Sequence, residues 1–272
     1  MTRCQKWLVP VGGLAQVVFP TRIAARCQSS SATSHGFAAA FVNELLHILS
    51  LRRSLSSDAL AGLVAASAGR LRPTLAINGR TTNIGVSACV KGYNVTYHGG
   101  RARQSLDHSN PGSIFIALLE SLSNGTVPPV RLIPVCPEFS SGLGAPRDPL
   151  RLVRPLTGGV RLLNAQTGRD DEVVLPFLER NTRLLPVVTE PLAFNSGDAD
   201  VKLDGFVGQG GSPLCGVRDA RMYPDGSPGK PFDRVDGLFA ERLRSRGIPT
   251  LSLRSVKDVN TVESFLCASF KL

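Results

Sequence analysis

Three cysteines of this chain have the residue type and the position that metal chemistry requires. Cys89, Cys136 and Cys215 each follow, directly or within a few residues, an apolar run that is typical of a buried strand; the runs are residues 83–88, 130–135 and 203–207. In an open α/β sheet, ligands bind at the carboxyl ends of the strands. Three thiols at that edge would hold a soft metal or an iron–sulfur cluster and leave one coordination position free for chemistry.

The cysteine spacing alone is also compatible with thiols that have no chemical role. The chain has 6 cysteines, and no two of them form a C-x-x-C pair. Free cysteine is among the most buried residue types, so inert core thiols are the alternative to a shared site. Cys4, Cys27 and Cys267 lie near the two ends of the chain, and we predict that they are not ligands.

The residues around the three cysteines form recognisable motifs. Residues 136–149 read C-P-E-F-S-S-G-L-G-A-P-R-D-P, Cys89 ends the stretch V-S-A-C, and Cys215 lies in S-P-L-C-G-V. In this order the three stretches resemble the 2-thiouracil desulfidase family, whose wider membership is catalogued as domain of unknown function 523. The resemblance covers about residues 83–254.

The resemblance implies a cofactor and an activity. Cys89, Cys136 and Cys215 match the family's ligands of a [4Fe-4S] cluster, whose fourth iron is open to the substrate sulfur. The implied reaction is the non-redox removal of sulfur from a thiolated small molecule, such as the thio-nucleobase thiouracil, by Lewis-acid activation of C=S and hydrolysis. The implied partners are this substrate and the iron–sulfur cluster assembly machinery. The alternative is an iron–sulfur-binding sulfur carrier or sensor without desulfidase turnover.

Three residues depart from the family's pattern. His98 stands in place of the aspartate of Y-D-G-G, Gln209 in place of a lysine, and Leu214 in place of the second serine of S-P-S-C. Two charged groups and one hydroxyl are therefore exchanged around an intact set of ligands. These departures keep the carrier or sensor alternative open.

Three further residues are candidates for the reaction. Glu138 lies two residues after Cys136 and would act as general acid or base; the alternative is a carboxylate that accepts N–H bonds in the turn. Ser212 would hydrogen-bond the substrate or a cluster sulfide, or else cap the turn before Cys215. Arg147 would bind an anionic group or a nucleobase carbonyl, or else fix its loop through an ion pair.

The charge distribution bears on partners and on location. The formal net charge is +10, but residues 1–88 contain nine Lys/Arg against only Glu44 and Asp58. No basic run with interleaved aromatics is present, so we expect no nucleic-acid partner. No stretch of about 18 apolar residues predicts a membrane span.

The first 43 residues contain no acidic residue, which is typical of a transit peptide. We predict a mitochondrial location, with a cytoplasmic protein that carries a disordered extension as the alternative.

The chain divides into three predicted segments. Residues 1–35 form a transit-peptide-like or disordered extension, residues 36–82 an N-terminal helical segment, and residues 83–272 an α/β iron–sulfur desulfidase-like domain. Alternating strand and helix patterns from residue 83 predict a largely parallel sheet flanked by helices, with the cluster site at the carboxyl ends of its strands. We expect the last helix near residues 236–246, and loops over residues 138–149 and 186–200.

Overall fold

The computed structural model describes residues 32–75, 80–102, 110–124, 129–155, 158–180, 202–224 and 229–270. The helices are α1 (Ala32–Leu51), α2 (Ser57–Leu75), α3 (Pro111–Ser123), α4 (Val174–Arg180), α5 (Leu238–Ser245) and α6 (Val259–Ser269). The strands are β1 (Thr82–Ser87), β2 (Val130–Val135), β3 (Leu150–Val153), β4 (Arg161–Asn164), β5 (Gly205–Gly208), β6 (Ala220–Tyr223), β7 (Asp233–Val235) and β8 (Thr250–Ser252). None of the described helices is long and apolar enough to cross a membrane.

A four-stranded parallel sheet lies at the centre of the fold. Its strand order is β2-β1-β5-β8, and every neighbouring pair is parallel. Strand β1 is buried along nearly its whole length, as expected for a strand covered on both faces. The predicted α/β fold with a parallel sheet flanked by helices is confirmed.

Helices cover one face of this sheet. Side chains of α1, α2, α3 and α6 form one hydrophobic core with residues of the sheet that include Ile84, Val86 and Val207. Phe37 and Phe41 of α1 are fully buried in it. Apolar side chains of α1 and α2 therefore pack on the domain.

The other face of the parallel sheet contacts a second core. This core joins Val135 and Phe206 of the parallel sheet to α4, α5 and a second four-stranded sheet. The second sheet has the order β4-β3-β6-β7, in which only the central β3–β6 pair is parallel. Gly85 of β1 allows close packing toward this core, since a Cβ there would lie only 2.8 Å from the Leu203 side chain.

The helix termini agree with local sequence signals. The Asn110 side chain accepts a hydrogen bond from the N–H of Gly112 at 2.9 Å, which caps α3, and Pro111 is its first residue. Helix α5 stops before Gly247, whose φ of 73° suits a glycine just past a helix end. The predicted last helix is thus α5.

Two expectations about the chain were incomplete. The expected loop of residues 138–149 contains a π-helical turn, Phe139–Leu143, and β3 begins directly after the loop. A further helix, α6, follows the predicted last helix and packs into the helical core. The expected loop of residues 186–200 lies outside the described residues, as does the predicted extension of residues 1–35 up to residue 31; α1 begins at Ala32.

Candidate active site

Three adjacent parallel strands deliver the three cysteines to one cavity. Cys136 directly follows β2, Cys89 lies two residues after β1, and Cys215 lies in the turn that follows β5. All three line a cavity of about 460 Å³ at the carboxyl edge of the sheet. Cys267 lies in α6, packs against the helical core and is not part of this lining.

The thiols are shielded from solvent and lie close enough to affect one another. Cys136 and Cys215 are each 7% exposed, Cys89 is partly buried, and all three are free cysteines. Burial raises the pKa of the Cys89 thiol to about 12, with a further contribution from Cys136. Burial also raises the pKa of the Cys136 and Cys215 thiols, and the other two cysteines add to the effect on Cys215. Three thiolates in this cavity therefore need a compensating positive charge.

Arg147 supplies a positive charge beside the thiols. Its side chain is 5% exposed, and burial lowers its pKa while the three cysteines raise it. One terminal nitrogen, Nη1, donates to the carbonyl oxygens of Val95 at 2.9 Å and Gly144 at 2.8 Å. The other, Nη2, forms an ion pair with Glu138. Arg147 thus makes the loop-fixing ion pair that was one of its two interpretations, and it ties together the loops that follow β1 and β2.

The Arg147 side chain also retains one unused donor. Its Nε lies buried without a hydrogen-bond partner among the described residues. Since buried donors are nearly always paired, this atom is available to a bound group. The two interpretations of Arg147, loop fixation and ligand binding, are therefore compatible with each other.

Two serines shape the turn that carries Cys215. The Ser212 hydroxyl accepts hydrogen bonds from the N–H groups of Leu214 at 3.2 Å and Cys215 at 3.0 Å. Ser212 therefore caps the turn, and it also lines the cavity. Ser87, at the end of β1, is buried; its hydroxyl accepts from the Gln209 N–H at 2.9 Å and lowers the pKa of the Cys215 thiol by hydrogen bonding.

The three departures from the family pattern lie in different environments. His98 and Gln209 line the cavity, and His98 Nδ1 lies 2.6 Å from the Thr96 hydroxyl. Leu214 is fully buried in the second core and is not among the lining residues. The exchange at Leu214 is therefore a packing change, whereas those at His98 and Gln209 alter the cavity itself.

The lining of the cavity is strongly basic. It contains one carboxylate, Glu138, and four arginines, which are Arg101, Arg147, Arg151 and Arg221. The Arg151 guanidinium lies over the ring of Tyr223, 4.4 Å from its centroid. Sequence reasoning found Arg147 but missed the other arginines and Ser87. Arg151 and Arg221 reach the cavity from the second sheet, and Ser87 meets Gln209 through the pairing of β1 with β5.

The soft donors of the cavity are cysteine thiols, which suit an iron–sulfur cluster. Among the residues that the structure describes, no three His, Cys, Asp or Glu side chains form a group that could hold a single metal ion. Cysteine thiolates are the usual ligands of such clusters, and three cysteines line this cavity.

Comparison with known proteins agrees with this arrangement. A family model described as 2-thiouracil desulfurase matches residues 84–254, which contain the three cysteines, Glu138, Arg147 and Ser212. The chain belongs to the 2-thiouracil desulfurase family. The matched segment begins in β1 and ends just after β8, so the family's sequence pattern spans the whole parallel sheet.

One solved structure that matches this desulfurase family member is described as the [4Fe-4S]-dependent thiouracil desulfidase TudS. The match has 23% sequence identity and a TM-score of 0.39, and it covers 66% of this chain and 95% of that one. A comparison with curated proteins found no match.

Proposed function

We propose that this chain is a desulfidase that removes sulfur from a thiolated small molecule, with a [4Fe-4S] cluster held by Cys89, Cys136 and Cys215. One observation carries the proposal. In a chain of the 2-thiouracil desulfurase family, three free thiols follow three adjacent parallel strands and line one cavity. Such a cluster, when bound, supplies an iron without a protein ligand, a Lewis acid with affinity for sulfur.

The net reaction requires no oxidant or reductant. A thiocarbonyl and water give a carbonyl and hydrogen sulfide, so one C–O double bond replaces one C–S double bond. The two protons of the water end on the departing sulfur. In this proposal Glu138, two residues beyond Cys136, would take each proton from the attacking oxygen and pass it to the sulfur.

The remaining residues would stabilise the thiolates and hold Glu138 and the turn of Cys215 in position. Arg147 offsets the negative charge of the thiolates and holds the carboxylate of Glu138 in one position. Ser212 and Ser87 support the turn of Cys215 through hydrogen bonds to its backbone and its neighbour Gln209.

Anaerobic reconstitution tests the proposal directly. The protein is loaded with iron and sulfide, its iron and acid-labile sulfide are measured, and thiouracil is added while uracil and sulfide release are followed. Cys89→Ala should lose the cluster and the activity. Cys267→Ala is the matched control, since Cys267 lies outside the cavity lining, and it should keep both. A protein that binds no iron would overturn the proposal and leave the cysteines as structural thiols.

The second candidate is a cluster-binding sulfur carrier or sensor. It is favoured by the two exchanges that alter the cavity, His98 and Gln209, because they remove charged groups from its lining. A full complement of iron and sulfide without uracil formation would support this candidate over the desulfidase.

We also propose mitochondrial import of this protein and assembly of its cluster there by the iron–sulfur assembly machinery. The support is the composition of the first 43 residues, which have no acidic residue. Residues 1–35 would be the imported signal, residues 36–82 a helical segment, and residues 83–272 the desulfidase domain. A fluorescent protein fused after residue 35 should enter mitochondria, and cytoplasmic fluorescence would contradict this.

A further inference from the structure

Gln209 lines the cavity and has one side-chain hydrogen-bond acceptor without a partner among the described residues. Its backbone N–H is held by Ser87, and its side-chain Nε2 donates to the carbonyl oxygen of Gly210 at 3.3 Å. Its Oε1 is buried and has no hydrogen-bond partner among the described residues. The carboxamide is therefore held with its donor engaged and its acceptor open.

An open acceptor in this position calls for a donor from a ligand. A buried polar atom without a partner costs free energy, and native structures keep few of them. Gln209 directly follows β5 and lines the same cavity as the three cysteines. The group that fills this cavity is therefore the one that can supply the missing N–H.

The unused donor of Arg147 adds a second, complementary atom. Arg147 Nε offers an N–H and Gln209 Oε1 offers an acceptor, and both residues line the cavity. A ring amide or thioamide carries the matching pair, because its N–H donor stands beside its C=O or C=S acceptor. A ring whose nitrogen is alkylated lacks the donor and leaves Gln209 unpaired.

We propose that Gln209 determines specificity by accepting a hydrogen bond from a ring N–H of the substrate. This inference rests on the proposed function, since it concerns the thiocarbonyl substrate of the same cavity. A lysine at this position would donate only, whereas the glutamine carbonyl accepts. The exchange of lysine for glutamine therefore changes which edge of a heterocycle the cavity selects.

The test measures binding separately from turnover. Uracil, 1-methyluracil and 3-methyluracil, of which the last two each lack one ring N–H, are titrated into the reconstituted protein by calorimetry. In the wild type, one of the two methyl derivatives should bind about 5- to 100-fold more weakly than uracil, the range expected when a buried acceptor is left unpaired.

Variants separate the hydrogen bond from steric effects of the methyl group. Gln209→Met keeps the length of the side chain and removes the acceptor, so most of the penalty of N-methylation should vanish. Gln166→Met is the matched control, because Gln166 is exposed, and it should bind all three ligands as the wild type does. The comparison within the wild type needs no variant, and equal affinity for the three ligands overturns the inference even if Gln209→Met does not fold.

Equal affinity for the three ligands would overturn the inference, as would an undiminished methylation penalty in Gln209→Met or no binding of uracil. Turnover of thiouracil is measured on the same samples. Turnover without N–H selection refutes the role of Gln209 and leaves the proposed function standing. N–H selection without turnover supports the role of Gln209 and refutes the proposed function.

Discussion

Gly208 is the position where one methyl group should displace a cysteine of the candidate site. It is the last residue of β5, and a Cβ built there would lie 1.9 Å from the carbonyl oxygen of Cys215. Its own strand cannot yield easily, because β5 pairs with β1 and β8 and Gly208 is in register with Ser252. Gly208→Ala should therefore push the turn of Cys215 away from the sheet.

The size of the effect follows from the contact. Real Cβ contacts essentially never fall below 3.0 Å, so the carbonyl of Cys215 must retreat by about 1 Å. Overpacking of this kind typically costs about 1–3 kcal/mol. Because the displaced atom belongs to the backbone of Cys215, we expect the loss of stability to be accompanied by a loss of cluster binding.

Two measurements check this prediction. Urea denaturation gives the change in the free energy of unfolding, and iron and acid-labile sulfide are counted after anaerobic reconstitution. Gly69→Ala in α2 is the control, because a Cβ there meets nothing within 4 Å. Replacement of a helix-interior glycine by alanine should raise stability by about 0.5–1 kcal/mol and leave cluster content unchanged.

The result that would refute this reasoning is specific. If Gly208→Ala unfolds at the wild-type urea concentration and binds a full complement of iron, the close approach of Gly208 to Cys215 does not position the thiol.

Three other predictions concern residues of the cavity. Glu138→Gln should lower turnover by roughly 10²–10⁴-fold with unchanged iron content, whereas Cys136→Ala should lose the cluster. Normal turnover of Glu138→Gln would mean that another residue transfers the proton, with Ser212 as the next candidate. Arg147→Met should destabilise the protein by about 3 kcal/mol, the low end for a buried pair, because the partly buried carboxylate of Glu138 loses its partner. Adding Glu138→Gln should recover part of this loss in urea denaturation. Alkylation of Cys89 in the cluster-free protein, followed by mass spectrometry, should be slow at pH 8. Its rate should rise about tenfold per pH unit up to the pKa of about 12, because only the thiolate reacts. A rate that reaches a plateau near pH 9 would contradict the raised pKa.

The raised pKa of Cys89 also fixes the direction of a stability change. A thiol whose pKa is higher in the folded protein stays neutral there, whereas the unfolded chain ionises near the ordinary value of 9.0. This contribution to stability is complete below that value and is lost as the pH rises from there toward about 12. The cluster-free protein should therefore be more sensitive to alkaline pH than the reconstituted one.

Local sequence patterns predicted the elements that can be recognised from one stretch of chain. The apolar runs before Cys89 and Cys136 are β1 and β2, and helices α3 and α5 lie where their termini indicated. Helix α6 was not predicted, although Val262, Phe265 and Leu266 are spaced on one helical face and are buried.

The second sheet could not be predicted in the same way. Its strands have only three or four residues, and β3 pairs with β6 across a long stretch of chain. Short strands carry little periodicity, and their pairing depends on contacts that no local pattern contains. Arg151 and Arg221 reach the cavity from these strands, so the basic character of its lining depended on tertiary structure.

The sequence by itself determined the identity of the chemistry: three cysteines, their motifs and the α/β alternation that brings strand ends together. Only the tertiary structure decided which of those groups contact one another. The hydrogen bond from Arg147 to the carbonyl oxygen of Val95 and the one from the Gln209 N–H to Ser87 each link the ends of two different strands. Neither these bonds nor the Oε1 of Gln209, which has no partner among the described residues, can be read from a motif. Motifs record residue types along the chain, whereas hydrogen bonds and burial depend on distances that form only when parallel strands align.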